Sequence, residues 1–267
     1  MKRAWAAGSA DNIAILAAGV SYYAFLAMVP LLAALVLGYG IFASPEAVAG
    51  HINLLAEELP QSAAGLIGEQ LRAMVETSAS TEGLALAIAL GLALLGARNG
   101  ANAVIVAVAM AFNDTGSRTF LRAALAAIAL VLVAMAGAGI VAAAMSAVAM
   151  LESWLPGWPG AALLLGKAVP FAVLLAAATI GTAILYRRAP PTLTPGWKAV
   201  LPGALLAGAG IMLATLGFGF YVANFGSYNA TYGSMGAVIV LLTWLYLVAY
   251  VLLIGAELAA VRARPEL

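Results

Sequence analysis

Three polar side chains stand together in an otherwise apolar stretch: Arg98, Asn99 and Asn102. The stretch runs from about Gly83 to Phe112, so Arg98 falls about halfway along it, near the midplane of a bilayer if each residue adds 1.5 Å of rise. Asn102 follows one turn after Arg98, which makes one polar stripe on an apolar helix. A central arginine costs about 2.5–3.5 kcal/mol or more in hydrocarbon, so it must face protein or a wet cavity. Two chemistries suit it. One is attraction of a phosphate or carboxylate, helped by the asparagine amides. The other is a staple, in which the guanidinium ties freed backbone carbonyls of a broken helix. Gly96 and Gly100 flank the arginine in a G-x-x-x-G arrangement and allow either close helix packing or local unwinding.

A second set lies near the C-terminus. Thr243, Tyr246, Tyr250 and Glu257 are separated by helical spacings and share one face. The first apolar stretch adds Asp11, Ser21 and Tyr22. Asp11 and Glu257 both fall at the cytoplasmic ends of their stretches, and Glu257 sits about 10–20 Å below Arg98. Glu257 reads either as an interfacial acid paired with Arg262 or as a proton carrier or latch. The tyrosines read either as belt and packing residues or as groups that orient a ligand.

Catalytic chemistry finds little footing. There is no cysteine and only one histidine, His51. A hydrolytic metal site needs several His, Asp, Glu or Cys ligands brought together, and no such spacing appears, so neither a metal nor another cofactor is expected. No G-x-S-x-G elbow, Walker loop or dinucleotide fingerprint occurs. With 12 Lys+Arg against 11 Asp+Glu, no bulk charge favours nucleic acid. The chain is expected not to be an enzyme.

The elements that must position these residues follow from composition. Of 267 residues, 65% are hydrophobic and 9% charged. A soluble domain carries about 25% charge, so this chain cannot make a water-facing surface. Six stretches reach the roughly 20 residues a membrane helix needs: about 13–42, 83–112, 120–150, 161–186, 199–223 and 233–261. Pro30 predicts a kink in the first, and Pro202 falls in the first turn of the fifth. The fold expected is all-α, a single polytopic transmembrane bundle over residues 1–267. Met1-Lys2-Arg3 precedes an apolar run too long for a signal peptide, which reads as a retained anchor. With the N-terminus inside, Lys2, Arg3, Arg118, Arg122, Arg187, Arg188, Lys198, Arg262 and Arg264 face the cytoplasm, against Arg72 and Lys167 outside. Both termini are therefore expected in the cytoplasm. Residues 44–81 read as two short amphipathic helices on the outer side, the first opened by Ser44-Pro45-Glu46. Abundant Gly and Ala allow tight packing within a bundle or across a homo-oligomer.

Several blocks are similar to one known family. Ala17-Ala18-Gly19-Val20-Ser21-Tyr22-Tyr23-Ala24-Phe25 with Val29-Pro30-Leu31-Leu32 resembles the opening span of the YihY/virulence factor BrkB family. Arg187-Arg188-Ala189-Pro190-Pro191 and Pro195 to Gly203 match further along. The most specific block holds Tyr228, Asn229, Tyr232 and Gly233, followed by Trp244-Leu245-Tyr246 and Leu253 to Leu258. The resemblance implies a bacterial inner-membrane protein of six helices, with links to envelope integrity, virulence, and lipid or solute export. It also brings the old label ribonuclease BN, which the missing carboxylate cluster and basic groove argue against.

The function expected is transport-type binding or movement of an anionic amphiphile, such as a phospholipid or envelope lipid precursor. Arg98 attracts the anionic group, Asn99, Asn102, Tyr22, Tyr246 and Tyr250 orient it, and Glu257 or Asp11 couples or latches. Membrane lipids are the expected partners. One rival is a proton-coupled exporter of a small polar solute. Another is a scaffold that docks a periplasmic envelope partner through residues 44–81.

Overall fold

The computed structural model describes residues 2–40, 84–114, 116, 118–154, 160–225 and 234–263. The segment 44–81 with His51, and the block with Tyr228, Asn229, Tyr232 and Gly233, lie outside the described residues. Seven helices follow one another: α1 (Lys2–Ala10), α2 (Ile13–Gly40), α3 (Leu84–Ala111), α4 (Phe120–Trp154), α5 (Gly160–Arg188), α6 (Trp197–Phe225) and α7 (Ser234–Ala263). Six of them, α2 to α7, are long and apolar enough to cross a membrane. No strand occurs among the described residues.

Each membrane helix packs on its neighbour in sequence, and α7 returns to α2, so the six close into a ring. Helix α7 also reaches α1, α3 and α5, which makes it the hub. The chain thus brings its last helix against its first two.

Small residues make the contacts close. A Cβ on Gly203 of α6 would run into the Gly255 carbonyl of α7, and one on Gly255 would sit 2.6 Å from the Gly203 carbonyl. The backbones of α6 and α7 therefore touch, as small residues permit where no hydrophobic effect drives helices together in lipid. The space beside Gly255 also admits the hydroxyl of Tyr186, which is wholly buried and donates to the Leu252 carbonyl at 2.6 Å. Trp244 of α7 donates from Nε1 to Thr215 of α6 at 3.2 Å. On the far side of the ring, a Cβ on Gly100 of α3 would lie 2.5 Å from Ala27 Cβ and 3.1 Å from the Tyr23 carbonyl of α2. Pro30 of α2 fills the place a side chain at Gly96 would take.

Three sequence expectations change. Lys2–Ala10 are not a flank of the first span but a helix of their own, α1, which packs on α7. Asn12, at φ 52°, ends α1 and turns the chain, and its carbonyl accepts from Ile15 and Leu16 N–H to start α2. Asparagine tolerates this left-handed conformation better than most residues. Helix α6 begins at Trp197, two residues early, with the Gly196 carbonyl accepting from Ala199 and Val200. Pro202 is consequently inside the helix, past its first turn. Finally, α3 runs unbroken through Arg98, so there is no broken helix to staple. Gly96 and Gly100 serve close packing, not unwinding.

Candidate functional site: a lateral groove and a buried carboxyl pair

Helices α2 and α3 enclose a groove of about 460 Å³. Ile15, Gly19 and Tyr23 recur every four residues along α2 and face Asn99, Asn102, Val106 and Met110 of α3. Ile15, Tyr23, Val106 and Met110 are strongly exposed, so the groove opens sideways, toward the face a membrane would cover. Gly19 leaves room in it: a Cβ there would meet nothing within 4 Å. Asn99 stands at the centre of the apolar stretch Ala87–Ala111. Its amide and that of Asn102 are thus placed at mid-span in an otherwise apolar trough.

The sequence residues divide among different places. Asn99 and Asn102 line the groove; Arg98, half-buried and one residue along, does not. Tyr23 lines it, whereas Tyr22, its T-shaped neighbour at 5.7 Å, does not. Period alone did not separate these adjacent tyrosines, because the choice depends on where α3 packs. Tyr246 and Tyr250 pack against the core with ring centroids 6.0 Å apart. The exposed Thr243 hydroxyl donates to the Ile239 carbonyl of its own helix at 2.7 Å.

Glu257 differs most from expectation. It is not an interfacial acid beside Arg262 but is 1% exposed. Gly8 of α1 lies directly over it: a Cβ there would come 3.5 Å from Glu257 Cγ. Asp11, from the turn after α1, brings its carboxyl within hydrogen-bonding reach. Oε1 of Glu257 is sealed from solvent and has no hydrogen-bond partner. Beside the pair lies a second cavity of about 290 Å³, lined among others by Arg3, Phe112, Asn113 and Glu257. The sequence placed Asp11 and Glu257 at the same depth but gave no sign of their contact. That contact exists because the ring closes α7 onto the N-terminus.

At this same end sits an acid the sequence reading passed over. Helix α3 ends in a Schellman turn, with Asn113 at φ 51°. Asn113 N–H donates to the Met110 carbonyl at 2.8 Å, and Asp114 N–H to the Ala109 carbonyl at 3.1 Å. The turn aims Asp114 across to the chain between α5 and α6. Its carboxylate accepts from Thr192 N–H at 2.8 Å, Thr192 Oγ1 at 2.8 Å, Leu193 N–H at 2.9 Å and Gly116 N–H at 3.1 Å. Burial raises the Asp114 carboxyl, but the Thr192, Leu193 and Gly116 donors outweigh it and hold the group below its ordinary value. Arg118 adds bonds to the carbonyls of Arg188 and Pro190, and Arg187 donates to the Pro195 carbonyl at 3.0 Å while lying 4.4 Å over the Trp197 ring. Two of the basic side chains at this end, Arg118 and Arg187, are therefore tied into loop structure. The legible signal was Asn113-Asp114-x-Gly116, a helix-stop residue followed by an Asx turn.

A family model described as virulence factor BrkB matches residues 4–266. The chain belongs to the virulence factor BrkB family. As a member of that family with six candidate spans, this BrkB-family chain is a multi-pass membrane protein. Comparisons with curated proteins and with solved structures returned no match. Among the described residues, no group of three His, Cys, Asp or Glu could hold a metal ion.

Proposed function

We propose that this BrkB-family protein is a non-catalytic transport-type protein of the bacterial inner membrane that binds or moves an anionic amphiphile, such as a phospholipid or envelope lipid precursor. The observation that carries this reading is the amide-lined groove between α2 and α3. An acyl chain suits the apolar walls of Ile15, Val106 and Met110, and acceptor oxygens of a headgroup suit the amides of Asn99 and Asn102 and the hydroxyl of Tyr23. Polar groups at this depth are costly unless paired, so a ligand that supplies acceptors gains from them. Arg98, next in sequence, brings positive charge to the same stretch of α3.

Gly19 supplies the test. A Cβ there meets nothing within 4 Å, so a leucine is expected to extend into the groove. In liposomes carrying a fluorescent anionic phospholipid, the wild-type protein should move label between leaflets, and Gly19→Leu should slow this at least about tenfold. Asn102→Leu should weaken retention of anionic lipid in native mass spectrometry by about tenfold, the worth of one hydrogen bond. Unchanged flux and retention in both folded variants would sink the groove as a binding site.

A second reading, proton-coupled export of a small polar solute, is favoured by the Asp11–Glu257 contact. Proton-driven solute flux that persists in Gly19→Leu would select it.

A further inference from the structure

We infer that Asp11 and Glu257 hold a single proton between them and that helix α1 closes over it as a lid. For its part in transport the inference rests on the reading of these residues as the coupling pair. The proton itself stands on geometry. Glu257 is 1% exposed, one of its oxygens is without a partner, and its polar neighbour is a second acid on a different element. Two carboxylates in contact away from water repel each other, and one shared proton turns that repulsion into a hydrogen bond.

Among the described residues, the following groups surround the pair. From α1, Arg3 is exposed and lines the adjoining cavity that Glu257 also lines, without forming an ion pair with it. From the end of α3 comes Asn113, which is neutral. From α5 comes Tyr186, whose hydroxyl is committed to Leu252. Helix α6 presents Val200, Gly203 and Ala204, and on α7 itself Arg262 is exposed. Among the described residues no base pairs with Glu257. A metal cation would need more oxygen ligands than two side chains supply, and no third acid or histidine joins them among the described residues. Oε1 is also sealed from solvent, which leaves a proton as the ion that fits.

The lid follows from which elements carry the acids. Asp11 stands in the turn directly after α1, its N–H still donating to the Ala7 carbonyl at 2.9 Å, and Glu257 belongs to α7, the hub. Gly8 places α1 beside Glu257, where even a Cβ would keep ordinary contact with its Cγ at 3.5 Å. Losing the proton sets two like charges against each other across that contact, so α1 is pushed off and the cavity lined by Arg3, Asn113, Ala260 and Val261 opens. Protonation draws α1 back.

The proton can be read directly. Infrared spectra of the wild-type protein in an ester-free detergent at neutral pH should show a carboxylic acid C=O stretch that moves in heavy water. The band should vanish in Glu257→Gln and shift in Asp11→Asn, with helix content unchanged by circular dichroism. Absence of the band in the wild type, or the same band in Glu257→Gln, overturns the inference. If Glu257→Gln does not fold, Asp11→Asn decides alone, and an unshifted band overturns it. The chain has no cysteine, so a single reporter isolates the lid. Maleimide labelling of Ala260→Cys, as a ratio to the exposed Ala14→Cys, should rise as pH is raised through the loss of the band. A flat ratio overturns the lid. Lipid flux lost in Gly19→Leu with the band absent leaves the groove standing without the proton; the band present with flux unaffected does the reverse.

Discussion

Asp114 shows how much a single carboxylate organises at the end of the bundle that carries α1. Four donors converge on it from two separate loops. Bonds to a charged acceptor are worth about 1.5–3 kcal/mol, and stranding their donors costs more. Asp114→Ala should therefore lower stability by about 2–4 kcal/mol, read as the temperature at which the detergent-solubilised protein loses its monodisperse elution peak. The pH dependence has a definite sign. The folded carboxyl lies below the ordinary value of 3.8. Its contribution is complete above that value and is lost as pH falls through the lower, folded one. Acid should thus destabilise the wild type below about pH 4, and Asp114→Asn should be less stable at neutral pH but flatter with acid. An equally steep acid loss in Asp114→Asn would show that another group is responsible.

At the scale of elements, glycine has two opposite uses in this molecule, and substitution separates them. Gly100 and Gly203 stand where a Cβ meets the atoms of a neighbouring helix that cannot rotate away: Ala27 Cβ and the Tyr23 carbonyl for one, the Gly255 carbonyl for the other. Gly100→Ala and Gly203→Ala should each cost about 1–3 kcal/mol, since overpacking forces whole helices apart. Gly19 meets nothing. Gly19→Ala should be neutral or stabilising by up to about 1 kcal/mol, because alanine favours the helix. Thermal inactivation of the purified variants checks all three, and a Gly19→Ala protein as damaged as Gly203→Ala would mean that the groove is filled by another part of the chain. The same logic makes α1 a separate element. Asn12 breaks the helix between two runs that hydropathy alone reads as one basic flank and one span.

Among the described residues the six membrane helices close into a ring, with basic side chains collected at the end that carries α1. We expect that end to face the cytoplasm, since Arg3, Arg118, Arg122, Arg187, Arg188, Lys198 and Arg262 all gather there. Because the chain is cysteine-free, Lys198→Cys in intact spheroplasts should resist a membrane-impermeant maleimide, while Lys167→Cys should react; the reverse pattern would invert the topology. What the amino-acid sequence determined by itself was the class of protein and its spans. Runs such as Val238–Ala263 are too apolar and too long for anything but a membrane helix, and that follows from transfer free energy summed along the chain, with no knowledge of neighbours. Arg98, Asn99, Asn102, Asp11 and Glu257 were legible as unusual for the same reason, since a polar group in an apolar run stands out locally. The tertiary structure alone decided which of them meet. Asn99 and Asn102 turn to Tyr23, not Tyr22, because Gly100 lets α3 rest on Ala27 and the Tyr23 carbonyl. Asp11 meets Glu257 across nearly the entire length of the chain because α7 closes the ring onto α1 and α2. Helical period sets the face a residue occupies, but contacts between helices depend on the surface complementarity of distant segments, and that appears only once they are packed.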